Sequence, residues 1–395
     1  MSSCTAPLKN GGKKKMHVAV LAFPFSSHAL SLGHLMLKLA TAAQETRFSF
    51  LTTEKSISMF LAARTSLPDN IKAYNVADGV PLNHVFSGDP IERLELFIKE
   101  APENFKTALD MAVAETGWKI SCLIADALMS FAGSIAENLS VPWIPVWNPL
   151  PYSFYAHIYT DMIRQQYANS LTHDGSNSVE LEDQTLDVPG LSKFRIGDLP
   201  AEVLPPRDAK ETLFSCMLGQ IGHSMPKVDT LVLKFYQELY PEPLLNDLKS
   251  KFSNVLNIGF ISLTLPPPSL PPSTEDVTGC LSWLDGQKAK SVAYISFGTV
   301  VNIPQSEIEE LAEALEVSGT PFLWALRDSM SDCLPSGFLD RASTHGKVVP
   351  WAPQIQGGGI RSRAQDLKEL VWKASAPGGR ASQDFKTLVE KITSV

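Results

Sequence analysis

"HVAVLAFPFSSHALS", residues His17–Ser31, decides the fold. Its first half, His17 to Phe23, is an almost unbroken apolar run, as expected of a strand buried on both faces of a parallel sheet. A loop follows. Then Leu32, Leu35, Met36 and Leu39 recur at i, i+3, i+4 and i+7, so the chain turns into a helix, with Ser31 placed to act as its N-cap. A buried strand feeding a helix through a short loop is the repeating unit of a doubly wound α/β sheet.

The same alternation continues outward from this stretch. "RFSFLTT" (Arg47–Thr53), "SCLIADA" (Ser121–Ala127) and "VPWIPVW" (Val141–Trp147) read as further strands. "LTLPPPSLPPSTEDVTG" (Leu263–Gly279) is proline-rich and aperiodic, and reads as a stiff extended linker. Beyond it come the strands "SVAYISFG" (Ser291–Gly298), "PFLWALR" (Pro321–Arg327) and "GKVVPW" (Gly346–Trp351). Between the first two, a helix is striped by Ile308, Leu311, Ala312 and Leu315 and closed by Gly319. Two helical patterns end the chain, Ile360–Lys373 and Ser382–Thr393, parted by Pro377-Gly378-Gly379. The expected layout is a leader over residues 1–15, a first Rossmann-like domain over 16–262, a linker over 263–279 and a shorter second domain over 280–395. Three parallel strands leave that second sheet with an uncovered edge.

Composition narrows the function. The 395 residues are 44% hydrophobic and 19% charged, as in ordinary globular proteins, and suffice for two domains. A formal charge of −8 speaks against nucleic acid as a main partner, because phosphate binding calls for a basic stripe. No apolar run has the length of a membrane span, and residues 1–15 carry no secretory core. The 5 cysteines show neither C-x-x-C nor metal-ligand spacing, so free thiols in the cytoplasm are expected, and no metal.

Candidate chemistry gathers where strands end. His28 follows the first strand and Asp126 ends another, and α/β sheets bind ligands at the carboxyl ends of their strands. An imidazole can take a proton from a hydroxyl, and a carboxylate on its far nitrogen would fix the tautomer and stabilise the cation. A structural or solvated loop histidine is the competing reading. There is no G-x-S-x-G elbow, no G-x-G-x-x-G after the first strand and no P-loop. Gly357-Gly358-Gly359 reads either as a connector or as a phosphate cradle ahead of a helix.

Several longer stretches carry a resemblance: "HVAVLAFPFSSHA", "YNVADGVP", "APENFKTALDMAVAETG", "SCLIADALM", "CLSWLDGQKAKSVAYISFGTV", "PFLWALRD", "VVPWAPQ" and the closing "LKELVWKASAPGGRASQDFKTLVEKI". Over nearly its whole length the chain resembles plant UDP-sugar glycosyltransferases of the two-Rossmann-domain (GT-B) type, the flavonoid and anthocyanidin 3-O-glycosyltransferases above all. That resemblance implies a UDP-sugar co-substrate, a flavonoid acceptor, and hexose transfer with inversion. It makes His28 the general base and Asp126 its partner. Ser26, Asn148 and Thr299 fall at donor-contacting positions, Asn148 where many relatives have Thr. Trp351, Ala352 and Gln354 open the uracil-stacking donor loop, and His157 falls in the acceptor pocket. Trp351 as plain core and Thr299 as a strand end are the competing readings.

The chain also departs from the pattern. After "WAPQ" relatives continue through a histidine, a strand and the run H-C-G-W-N-S before a closing D-Q or D-H. Here that donor tract is missing, between Gln356 and about Gly358, and the C-terminal domain is expected to be truncated. Lys234-Phe235 stands in place of an Asn-Ser pair, and Ile91 and Pro200 stand where acceptor-contacting glutamines are expected. Two functions remain open on this reading: a transferase with impaired turnover, or a non-catalytic isoform that binds flavonoid or a full-length partner.

Overall fold

The computed structural model describes residues 15–394, apart from 26, 63–65, 90, 174–182, 189, 200–201, 205–210, 226–227, 262–275, 277, 289–290, 299–302, 351 and 353–363. The chain divides into two compact units, Met1–Pro268 with Val371–Val395, and Ser269–Leu370.

The first unit is built on a seven-stranded parallel sheet in the order β3-β2-β1-β4-β5-β6-β7. Its strands are β1 (His17–Leu21), β2 (Arg47–Thr52), β3 (Ile71–Asn75), β4 (Cys122–Asp126), β5 (Trp143–Trp147), β6 (Thr230–Leu233) and β7 (Asn254–Asn257). The helices that matter for the site are α1 (His28–Ala42), α2 (Glu54–Ala62), α3 (Glu92–Thr116), α4 (Ala132–Leu139), α5 (Pro151–Ile158) and α6 (Thr160–His173). Every residue of β1 and β4 is buried, which is why their sequences read as continuous apolar runs. Side chains of β1 alternate between two cores. Val18 and Val20 join Leu32, Leu35 and Leu39 of α1 on one face, while Ala19 and Leu21 join Phe97, Phe105 and Ala112 of α3 on the other. α3 ends at Gly117, whose φ of 66° only glycine adopts without strain and whose N–H reaches Val113 O.

The strand order places the topological switch between β1 and β4. From β1 the chain winds outward one way to β2 and β3, and returns to wind the other way from β4. Loops leaving the carboxyl ends of β1 and β4 therefore diverge to opposite faces and open a crevice between them.

In the second unit, β8 (Ala293–Ser296), β9 (Phe322–Ala325) and β10 (Gly346–Val349) form a parallel sheet in the order β10-β9-β8. Helix Gln305–Ser318 buries Ile308, Ala312 and Leu315 and is closed by Gly319 in the left-handed region, as its sequence implies. Phe322, Trp324 and Phe338 fill the core, with the Phe322 and Phe338 rings stacked at 6.0 Å. Among the described residues β8 pairs only with β9, and Tyr294 and Phe297 on and beside it are exposed.

Two expectations are corrected. Ser31 is not the N-cap of α1: the helix starts at His28, four residues earlier than that reading implies, with Ser27 in the cap position. The second domain does not run to the C terminus, because Val371–Val395 belongs to the first unit. There helix Arg380–Thr393 covers β7, placing Phe385, Leu388 and Ile392 in the same core as Leu256 and Ile258. The Pro-rich linker and the three-glycine run lie almost wholly outside the described residues.

Candidate active site

The crevice at the switch point is lined by residues at or just beyond the ends of four adjacent strands. β1 leads into α1, whose first residue is His28. β4 ends in Asp126, Asn148 follows β5, and Lys234 follows β6. Lys234 N–H donates to Trp147 O at 3.1 Å, so β6 is zipped to β5 up to the level of Asn148.

His28 Nδ1 lies 2.7 Å from Asp126 Oδ2. A carboxylate only accepts, so Nδ1 carries the proton, and in the neutral ring Nε2 holds the free lone pair. Nothing among the described residues engages Nε2. Asn148 Nδ2 donates to the same Oδ2 at 2.7 Å, and Leu128 N–H donates to Oδ1 at 3.1 Å. Asp126 is 1% exposed, and these three donors are what makes a buried carboxylate tolerable there. The amide of Asn148 is held in turn: Ser31 Oγ donates to its Oδ1 at 2.8 Å. Lys234 Nζ reaches both Ser31 O, at 3.3 Å, and Ser31 Oγ.

Burial pulls the His28 pKa down, but the charge and hydrogen bond of Asp126 outweigh it against a smaller opposing effect of Lys234, and the net shift is upward. Lys234 is itself buried, which pushes its amine down to about 8 although Asp126 pulls the other way. Aromatic rings wall the same corner. Phe23 packs edge-on to the His28 ring at 5.6 Å, and Phe23, Phe25 and Phe97 contact one another at 5.2–5.9 Å. An imidazole with an open Nε2, braced by a carboxylate and set beside aromatic faces, can deprotonate a hydroxyl on a flat aromatic ligand.

His157 sits on α5, buried, its ring edge-on to Trp147 at 5.8 Å, and its Nδ1 has no hydrogen-bond partner among the described residues. Burial drives its pKa down to about 4. Ala352 is buried in the second unit with Cys280, Leu323 and Val349. Ser26, Thr299, Trp351, Gln354 and Pro200 lie outside the described residues, and Ile91 occupies the N-cap of α3. The sequence reading missed the roles of Ser31 and Lys234. A lysine closing the apolar run "TLVLK" was the available signal, since a charge at the end of a central strand points into the crevice. Among the described residues no group of three or more His, Cys, Asp or Glu could hold a metal ion, and no helix is long and apolar enough to cross a membrane.

Comparison with known proteins shows the family. Residues 224–357 match the family model for UDP-glucoronosyl and UDP-glucosyl transferases. The anthocyanidin 3-O-galactosyltransferase 3GT1 of Rhododendron delavayi is 45% identical over 346 residues, 86% of this chain and 73% of the relative. The anthocyanidin 3-O-glucosyltransferase UFGT of Vitis vinifera is 44% identical over 343 residues, 86% of this chain and 72% of that protein. Among solved structures, a UDP-glucose: anthocyanidin 3-O-glucosyltransferase in complex with UDP superposes with a TM-score of 0.85 at 35% identity, covering 97% of this chain and 100% of that one. A UDP-glucosyltransferase from Polygonum tinctorium shares the fold at a TM-score of 0.72 and 17% identity, covering 97% and 100% of the two chains. The strand order, the GT-B likeness and relatives this similar over more than two thirds of their length lead to one conclusion: the chain belongs to the UDP-glucoronosyl and UDP-glucosyl transferase family.

Proposed function

We propose that the chain transfers a hexose, glucose or galactose, from a UDP-sugar to the 3-hydroxyl of a flavonol or anthocyanidin, with inversion at the anomeric carbon. The observation that carries this is the His28–Asp126 pair at 2.7 Å, with Nε2 open and an aromatic wall beside it. His28 Nε2 takes the acceptor's hydroxyl proton as the oxygen bonds to the anomeric carbon. The bond from that carbon to the UDP oxygen breaks on the opposite face, and UDP leaves with the electron pair. Asp126 stabilises the imidazolium until the proton passes to solvent. Base assistance of this kind contributes on the order of 10²–10⁴-fold. The acceptor assignment is supported by the relatives, which act on anthocyanidins. His157 is assigned to the acceptor pocket. Ser26, Asn148, Thr299, Trp351, Ala352 and Gln354 are assigned to the donor.

Turnover in this reading is low. The tract absent after Gln356 carries, in relatives, the helix N-terminus for the diphosphate and the acid–amide pair for the sugar. Losing three charge-assisted hydrogen bonds, at about 1.5–3 kcal/mol each, weakens donor affinity by about three decades or more. The same absence favours a second reading, a non-catalytic isoform that binds flavonoid or a full-length partner. A cytosolic location belongs to the proposal and is supported by the free Cys122, Cys216, Cys280 and Cys333. Incubation of quercetin or cyanidin with UDP-glucose or UDP-galactose, followed by product chromatography, decides between the readings. A glycoside that disappears with His28→Ala supports transfer. Flavonoid binding with no product at any donor concentration supports the isoform.

A further inference from the structure

The transfer reaction needs a base and its carboxylate, and neither requires a second buried cation. Yet Lys234, 8% exposed, follows β6 in the same crevice. Its Nζ donates to the carbonyl and hydroxyl of Ser31, in the first turn of α1. Ser31 Oγ, accepting from the amine, donates its O–H to Asn148 Oδ1, and Asn148 Nδ2 donates to Asp126 Oδ2. The chain of hydrogen bonds runs one way only, from a group that can only donate to a group that can only accept. At its far end it meets His28 Nδ1 on the same carboxylate oxygen.

We propose that Lys234 is a positioning residue for the His28 base: through Ser31 and Asn148 it claims part of the Asp126 charge and so tempers the basicity of the imidazole. The inference rests on the transfer reading above for its purpose. Two donors on one oxygen divide its capacity as an acceptor. An imidazole bound too firmly as the cation would be a poor base at neutral pH, and a counter-charge behind the carboxylate corrects that. The titratable groups that face Lys234 are Asp126 from β4 and His28 from α1, while Ser31 and Asn148 between them are neutral. Burial of Lys234 lowers its own pKa to about 8, so at pH 7 it is still mostly charged.

The test is an NMR titration of the His28 ring in the unliganded full chain, with the resonance assigned through His28→Ala. In Lys234→Met, which keeps the apolar stem and removes the charge, the midpoint should rise by about half a unit or more. Lys234→Gln is the second variant should the first not fold. In the wild-type protein the ring should show a second, smaller inflection near pH 8 that the variants lack. A midpoint unmoved in a folded variant, or a single inflection in the wild type up to pH 10, overturns the proposal. No donor and no turnover enter this readout. A chain that makes no glycoside yet shows the shift counts against the transfer reading and leaves Lys234 standing. Where glycoside forms, the acid limb of the kcat/KM profile should move up by the same amount in Lys234→Met.

Discussion

Asp126→Asn is the substitution whose consequence the geometry fixes most tightly. The carboxylate lies 2.7 Å from His28 Nδ1 and is 1% exposed, so the pair interacts with little screening. Between full charges at that separation, Coulomb's law at an effective dielectric near 20 gives about 6 kcal/mol. In the base-competent form the imidazole starts neutral, so this charge–charge attraction is absent before proton transfer. With the proton about half transferred, roughly 3 kcal/mol is lost when the charge is removed, a fall in kcat of about 10²-fold. An amide also cannot satisfy the surrounding donors. His28 and Asn148 point N–H groups at one oxygen and Leu128 points its N–H at the other, so an NH₂ on either side meets a donor head-on. That mismatch costs about 1–3 kcal/mol of stability and should lower the melting temperature. The assay is initial-rate glycoside formation at saturating flavonol, run on protein shown to be folded by its melting curve. The carboxylate is also what raises the His28 pKa against burial. Its removal should shift the acid limb of the rate profile to lower pH while the plateau falls. A variant with kcat within threefold of the wild type, or with the acid limb moved to higher pH, refutes the assignment.

Three further outcomes follow from the packing. His157 is held neutral in the fold with a pKa of about 4, against about 6.5 when unfolded, so its contribution is intact above pH 6.5. It is lost as pH falls from 6.5 to 4, where the unfolded state binds the extra proton, by up to about 3 kcal/mol. Stability measured by urea unfolding should therefore fall less steeply across that window in His157→Gln, and equal slopes would remove the burial argument. Leu388 is fully buried between helix Arg380–Thr393 and the first sheet, and Leu388→Ala should cost about 2–5 kcal/mol. A change in melting temperature below a degree would show the helix is not docked there. A Cβ at Gly346 would come within 2.2 Å of the Phe322 ring, itself pinned by Phe338 and His345. Gly346→Ala should destabilise the second unit by about 1–3 kcal/mol, read by hydrogen exchange in β9 and β10. Unchanged protection there would show that the ring has room.

Sequence pattern reached some of these features and not others, for identifiable reasons. β1, β2, β4 and β5 were legible because strands covered on both faces carry no polar alternation. β6 and β7 are four residues each, too short for any period to register, and β3 mixes buried and exposed positions. The apolar residues Ala101, Phe105, Ala108 and Ala112 of α3 lie at helical spacing, but in a stretch read for its family likeness and not for its period. His28 and Asp126 were found because strand ends are where such sheets bind ligands. The links that steady them were not legible. Ser31 and Asn148 are 117 residues apart, and Lys234 is 203 residues from Ser31, so only the folded sheet brings them together.

The closing helix shows a subtler limit. Its stripe of Phe385, Leu388 and Ile392 announces a helix with one buried face, yet an amphipathic pattern does not say which sheet that face will meet. Sequence order assigned it to the second domain, whereas it completes the cover over β7 of the first. That placement bears on function. The sheet holding His28, Asp126, Asn148 and Lys234 has its β7 side covered by the chain's own last helix, and none of those four residues lies within Ser269–Leu370. On the proposed reading, in which the donor tract is cut short after Gln356, that loss falls on a different unit from the base. A defect there should weaken binding of UDP-sugar and leave the titration of His28 as it is. Base strength and donor affinity become separable quantities in this chain: raising the UDP-sugar concentration should recover rate, and the acid limb of the profile should stay where Asp126 and Lys234 set it.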